Sequence, residues 1–254
     1  MMLPNNLDVS FHTHVGKVRA NNEDSVYINR ESKILMIADG MGGHNGGEIA
    51  SKLAVDIVSQ YLTSQIENNI LKKIEIDRDL VRALNLANSK IRIEGSHKPS
   101  LYNMGTTLVL CVISETNNLH IANIGDSRLY IIDIQKEKIS KMTIDHTLVE
   151  NQYREGKISK VYADKHPLRH ILAQALGISE QINPYLTKCK WQKGEYLLLC
   201  SDGLTDMMNE NEILDIFKNS YKKKCDEICT TLVEIANNNG GRDNVTVIVS
   251  LRNA

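Results

Sequence analysis

Acidic residues recur in this chain where apolar runs begin or end. Ile34 to Ala38 stops at Asp39-Gly40, and Gly42, Gly43, Gly46 and Gly47 follow. LLLCSDG, Leu197 to Gly203, is a second apolar run ending in Asp202-Gly203, and IANIGDSR carries Asp126 after Gly125. Glu23-Asp24 opens DSVYI, and Asp243-Asn244 opens VTVIV. Short apolar runs bounded by glycine read as buried strands. Taken alone, each Asp-Gly is also an ordinary turn dipeptide. Taken together, acids at five strand ends are a cluster in waiting. Gathered carboxylates repel one another and are costly to bury unless a divalent cation sits between them. Oxygen donors suit Mn²⁺ or Mg²⁺ rather than zinc or copper. Two such ions about 4 Å apart can bind a phosphate oxygen and activate a bridging water.

The elements that must position these acids follow from pattern. Residues 7–30 read as two strands around a polar loop, and 34–38 as a central strand. From Glu48, apolar residues fall at three- and four-residue spacing, and Leu80 to Ile93 repeats that pattern after a polar break; both are expected helices. Gly95 to Asn103 is expected to be a loop. Strands are predicted at 106–114, 119–124 and 128–133, with Asn117-Asn118 as a hairpin turn. Residues 145–180 look like an irregular polar insertion. A strand at 196–200, helices at 209–218 and 224–237, and a strand at 245–250 complete the chain. Helices in two pairs with hairpins between them do not make the βαβ alternation of a parallel sheet. An α+β fold with stacked antiparallel sheets and outer helices fits better.

Composition narrows the class. The 254 residues are 42% hydrophobic and 24% charged, as in an ordinary globular domain. A formal net charge of −1 argues against a nucleic-acid surface. No apolar stretch reaches membrane length and the N-terminus does not read as a signal peptide, so no membrane partner and a cytoplasmic location are expected. Five cysteines, widely spaced and odd in number, argue against a disulfide framework. Cys225 and Cys229 are four apart on a predicted helix, which leaves a metal or redox pair as the alternative to two packed thiols. His12 and His14 share a strand face and leave a similar choice open.

The blocks NEDS, ADGMGGH, GTTLVL, IGDSR, DHTLV, HPLRHILAQALG, LLLCSDGLTD and GRDNVTVIV resemble, in order and spacing, the metal-dependent protein phosphatases of the 2C type, in their bacterial form. The resemblance runs from about Asp8 to Arg252. It implies one catalytic domain over 1–254, a four-layer αββα sandwich with two antiparallel sheets flanked by helix pairs, and a flap at about 145–180. It implies two core Mn²⁺ or Mg²⁺ ions, with Asp39 bridging both, the Gly40 carbonyl on one, and Asp202, Asp243 and Glu23 completing the set. Asp126 with Asp202 resembles the pair that holds a third ion. Asp24 is expected to orient a bound water, Asn244 to fix a loop, and Arg19 to bind the substrate phosphate through its planar fork. Thr106 and Thr107 are expected to begin a strand beneath the site.

The activity so implied is hydrolysis of phosphoserine and phosphothreonine in proteins, opposing a serine/threonine kinase, by a monomer. A pseudophosphatase keeping only the fold, or a small-molecule phosphoesterase, are the rival readings; Glu23, Asp39, Asp202 and Asp243 are all present, which disfavours the first. Met41 follows Asp-Gly where many eukaryotic members of the family it resembles have a histidine. His44 is then the nearest candidate general acid, with fixing the glycine loop as its alternative role. The flap departs from the common pattern at Gln152-Tyr153 and at His170, where an apolar pair and an asparagine are expected.

Overall fold

The computed structural model describes residues 7–42, 46–67, 76–220 and 223–252. Two antiparallel sheets stack face to face. One has the order β1 (Leu7–His14), β11 (Val245–Arg252), β10 (Tyr196–Cys200), β7 (Arg128–Asp133), β8 (Lys138–Lys141). The other has the order β2 (Asp24–Asn29), β3 (Ile34–Met41), β5 (Leu108–Ile113), β6 (Asn118–Ile124), β9 (Tyr185–Lys190), with the short β4 (Gly105–Thr106) also on β3. Helices α1 (Gly46–Glu67) and α2 (Ile76–His97) cover the second sheet. Helices α6 (Glu210–Asn219) and α7 (Cys225–Asn238) cover the first. The result is the αββα sandwich.

Side-chain alternation along the strands builds these layers. In β3, Ile34, Met36 and Ala38 pack under α1 and α2, while Leu35 and Ile37 enter the core between the sheets. Such continuous apolar runs arise because the central strands are buried on both faces. Each buried Leu, Ile or Met contributes roughly 1.5–3 kcal/mol, so the strands that carry the acids are held by a large apolar contact. The turn at Asn117 forms as expected: its φ is 58° and its N–H donates to the Ser114 carbonyl at 2.9 Å. Cys111 and Cys200 are buried. Cys225 and Cys229 face β1 from α7, each thiol donating to a backbone carbonyl, of Asp8 and Ser10 respectively. They are packed thiols.

Three sequence expectations are corrected. Helix α2 does not stop before Gly95 but runs to His97. Glycine is needed there for packing, since a Cβ would lie 3.1 Å from the Leu101 carbonyl oxygen. Strands β8 and β9 lie where no strand was predicted. KISK and YLTKCK are lysine-rich and only half-buried, as suits the edges of sheets. The 145–180 segment is not wholly irregular. It holds α3 (Leu148–Arg154) and α4 (Lys160–Asp164), with Thr147 and Ser159 as their N-caps. Gln152 and Tyr153 lie on its exposed side. No helix among the described residues is long and apolar enough to cross a membrane.

Candidate metal centre and active site

The acids converge at one edge of the sandwich. Asp24 and Asp39 are directly opposed across β2 and β3. Asp39 is clamped by its backbone: its N–H donates to Thr107 Oγ1 at 3.0 Å, and its carbonyl accepts from the Thr107 N–H and the Thr106 hydroxyl, both at 2.8 Å. Thr107 Oγ1 in turn meets Ser127 Oγ at 2.7 Å, beside Asp126. The threonine pair therefore braces Asp39, but it does not begin one strand: Thr106 ends β4 and Thr107 lies between β4 and β5. Gly40 pairs with Thr106 and donates its N–H to the Glu23 carbonyl at 3.2 Å.

From the other sheet, Asp202 follows β10 and opens the single-turn helix α5 (Asp202–Thr205). Asn244 is a buried brace. Its Oδ1 accepts from the Glu23 N–H at 2.8 Å, and its Nδ2 donates to the Val15 and Asn21 carbonyls at 2.9 Å. It thus holds the Glu23 loop against the Asp243 loop. Ser201 donates to Asp24 Oδ2 at 2.9 Å and accepts from the Thr246 N–H at 3.0 Å. Arg19 reaches Asp243 Oδ2 at 2.5 Å. Glu23 Oε1 accepts from Asn21 at 3.2 Å. His44 lies outside the described residues.

Electrostatics mark the cluster as short of positive charge. Burial, then Asp24, Asp202, Asp126 and Asp243, push the Asp39 carboxyl well above the usual carboxylate range. Burial, then Asp126, Asp206, Asp243 and Asp24, do the same for Asp202. Burial raises Asp24 to about 6 against its hydrogen bonds, and raises Asp126 to about 7. Burial also raises Glu23. Arg19 is raised by its hydrogen bond to Asp243. Asp24 Oδ1 and Asp202 Oδ1 are buried without a hydrogen-bond partner among the described residues. Anionic oxygens left this way are what hard dications bind, so the donor set fits Mn²⁺ or Mg²⁺.

Beside the cluster lies a cleft of about 440 Å³. Its walls come from Asp126, Asp202 and Asp206 of the core and from Lys160, Arg169 and His170 of the 145–180 segment. That segment is anchored at its start by Asp145, which takes three hydrogen bonds from Arg128 at 2.7–3.1 Å and one from Lys141 at 3.2 Å. Burial alone would raise Asp145, but Arg128 and Lys141 outweigh it and hold the carboxyl below its usual range. Further along it, His170 Nδ1 is 3.2 Å from Asp206 Oδ2. The sequence reading did not single out Ser201, the Arg128–Asp145 pair or the His170–Asp206 pair. Only Asp206 left a usable signal, since its spacing from Asp202 puts both acids on one helix face.

A two-sheet sandwich that gathers oxygen donors for dications at one edge defines the class of metal-dependent phosphatases. Residues 12–240 match the family described as Protein phosphatase 2C, and the chain belongs to that family. It is 36% identical over 250 residues to the serine/threonine phosphatase stp of Listeria welshimeri, covering 97% of this chain and 96% of the relative. It is 37% identical over 245 residues to the protein phosphatase PhpP of Streptococcus pneumoniae, covering 95% and 96%. Among solved structures, the serine/threonine phosphatase PstP/Ppp of Mycobacterium tuberculosis superposes with a TM-score of 0.85 at 34% identity, over 98% of this chain and 99% of that one. The PstP catalytic domain in complex with 2 manganese ions superposes with a TM-score of 0.81 at 33% identity, over 98% and 99%.

Proposed function

We propose that this chain hydrolyses phosphoserine and phosphothreonine in proteins at the Asp39-centred site, with Mn²⁺ or Mg²⁺ as cofactor. One observation carries the reading. Carboxylates from both sheets are buried together, and Asp24 Oδ1 and Asp202 Oδ1 have no hydrogen-bond partner among the described residues. The names of the full-length relatives, both phosphatases, support the activity. Residues 1–254 are read as one catalytic domain, and 145–180 as its flap.

In this reading Asp39, Asp202, Asp243, Glu23 and the Gly40 carbonyl hold two core ions, and Asp126 with Asp202 supports a third. When bound, the ions supply Lewis acidity to the phosphoryl group and to the attacking water. The protein contributes rigidity and charge. Thr106 and Thr107 keep Asp39 from moving when a cation pulls on it. Asn244 fixes the spacing of Glu23 and Asp243, so little reorganisation remains for the reaction. Asp24, set by Ser201, orients a water. Arg19 turns its fork between Asp243 and a substrate phosphate, neutralising whichever is present. Lys160 and Arg169 line the cleft and meet the flanks of a phosphopeptide. His44 is the chain's own candidate proton donor to the leaving alkoxide.

The natural substrates would include a serine/threonine kinase, with the phosphatase acting as a monomer in the cytoplasm. A substrate panel tests the class. With Mn²⁺ present, phosphate should be released from phosphoserine and phosphothreonine peptides far faster than from small metabolite phosphates. Preference for the small phosphates would replace this reading by a small-molecule phosphoesterase. Inertness towards all of them would favour a binding module.

A further inference from the structure

A groove of about 450 Å³ lies between the C-terminal turns of α2 and the loop that leads into β4. Its lining comes from Arg92, Ile93 and Gly95 of α2, from Tyr102 and Met104 of the loop, and from Gly177. The groove adjoins the chain that follows Asp39-Gly40. Met41 pairs with Gly105. A Cβ on Gly42 would lie 3.2 Å from the Met104 Cα, and one on Gly46 would lie 3.1 Å from the Met104 Cβ.

The backbone around the groove is fixed. Tyr102 follows a single 3₁₀ turn, Pro99–Leu101, and donates its N–H to the Pro99 carbonyl at 3.3 Å. The Met104 N–H donates to the Leu101 carbonyl at 3.0 Å, with Asn103 at φ 60° between them. From α2, the buried Asn88 accepts from the Gly177 N–H at 2.7 Å and donates to the Ser179 and Glu180 carbonyls at 2.9 and 3.2 Å. The side chains at the rim are nevertheless left in solvent: Tyr102 is 72% exposed, Ile93 48%, and Ile178, next to Gly177, 46%. Arg92 is the one charged residue of the lining. It makes no ion pair among the described residues, whereas Lys90 and Glu94 on the same helix pair with each other at 3.0 Å. Exposed apolar side chains on fixed backbone lose little freedom when a partner covers them, and an uncommitted guanidinium selects an anionic one.

We propose that this groove docks one flank of the phosphoprotein substrate, a segment carrying a carboxylate beside a large apolar residue. The carboxylate pairs with Arg92, and the apolar side chain covers Ile93, Tyr102 and Ile178. This rests on the phosphoprotein phosphatase reading of the Asp39 site and adds a sequence preference to it. Continuity with that site sets the spacing. Thr106 lies opposite Gly40, and Met104 is two residues further back. At about 3.3 Å per residue, an extended peptide reaches from the site into the groove in about three to five residues. An aryl phosphate is too short to reach it.

The experiment compares two phosphothreonine peptides with p-nitrophenyl phosphate, all in Mn²⁺. One peptide carries Glu and Leu about four residues from the phosphothreonine on both sides, and the other carries Lys and Ser there. Wild type is run beside Arg92→Glu and Tyr102→Ala, both at exposed positions. Wild type should favour the acidic–apolar peptide by at least about threefold in KM, with kcat alike for the two. Arg92→Glu should reverse that preference, and Tyr102→Ala should raise KM for the acidic–apolar peptide by about threefold or more, while aryl phosphate hydrolysis holds. Fluorescence anisotropy with the unphosphorylated acidic–apolar peptide reads docking without turnover and should rank the three proteins in the same order. Equal KM for both peptides in wild type, or unchanged KM in both variants, would overturn the proposal and leave phosphopeptide hydrolysis standing. Equal losses on the aryl phosphate would also overturn it, since the variants would then act on the Asp39 site. A protein that hydrolyses no phosphopeptide but binds the unphosphorylated peptide through Arg92 would sink the proposed function and keep the groove; one that does neither would sink both. Self-association that Tyr102→Ala abolishes, with no peptide binding, would give this face to a second copy and overturn the proposal.

Discussion

Replacing Asp24 by asparagine should stabilise the metal-free protein. Asp24 keeps its hydrogen bond from Ser201 through Oδ2, but Oδ1 is buried without a partner among the described residues, and Asp243 and Glu23 repel the charge. Its carboxyl is raised from 3.8 to about 6, first by burial and then by Asp243 and Glu23 against its hydrogen bonds. A folded-state value above the unfolded one means that the folded protein holds its proton longer. The cost of the charge is therefore absent below the unfolded value, grows between 3.8 and about 6, and is complete above that window. A difference of about two units corresponds to about 3 kcal/mol. Asparagine keeps the size and the acceptor for Ser201 while removing the charge. Asp24→Asn in excess chelator should gain about 2–3 kcal/mol at pH 8, or roughly 5–10 °C in Tm for a chain of this length. At pH 4 the gain should shrink to a fraction of that, and saturating Mn²⁺ should reduce it at pH 8. Thermal unfolding followed by circular dichroism reads all three. A variant less stable than wild type at pH 8, or equally stabilised at both pH values, refutes the reasoning from burial and repulsion.

Three further outcomes are expected. Arg19→Lys keeps the charge near Asp243 but loses the fork, so kcat/KM for a phosphopeptide should fall by roughly tenfold or more in steady-state assays while the melting temperature holds; unchanged kinetics would remove Arg19 from the substrate. Asp126→Ala should leave the fold and the core ions in place while turnover falls, and calorimetry showing loss of core ions would reassign Asp126 to the main site. Gly203→Ala would set a Cβ 2.0 Å from the Asn244 carbonyl oxygen, and the resulting shift between the Asp202 and Asp243 loops should cost about 1–3 kcal/mol in urea unfolding and weaken Mn²⁺ binding; wild-type stability and affinity would show that the loops have room.

The acids could be read from sequence because each sits against a strong local signal. A buried strand is apolar for four or five residues, so Asp39 after Ala38, or Asp202 after Cys200-Ser201, breaks the run conspicuously. The central strands and the four long helices followed from the same contrast of period. Edge strands β8 and β9 lack that contrast, because lysines that guard a sheet edge make its pattern resemble a loop. The short helices α3 and α4 are set by single caps, Thr147 and Ser159, rather than by periodicity. Pairings across the chain left no local trace at all. Arg19 with Asp243 spans 224 positions, and Asn244 with the Glu23 N–H spans 221. His170 stood out in sequence only as a departure from pattern; its meeting with Asp206 needed the tertiary fold.

The central claim is that the buried carboxylates around Asp39 are the cation-holding centre of a phosphoprotein phosphatase. Phosphate release from a phosphothreonine peptide tests it most directly. Wild-type protein and Asp39→Asn are stripped with chelator and Mn²⁺ is titrated back. Wild type should be inactive when stripped and recover fully, while Asp39→Asn should stay below about a tenth of the wild-type kcat at every Mn²⁺ concentration, a loss of at least about 1.4 kcal/mol in transition-state stabilisation. Full activity of wild type in chelator, or recovery of Asp39→Asn beyond that tenth, would contradict the account.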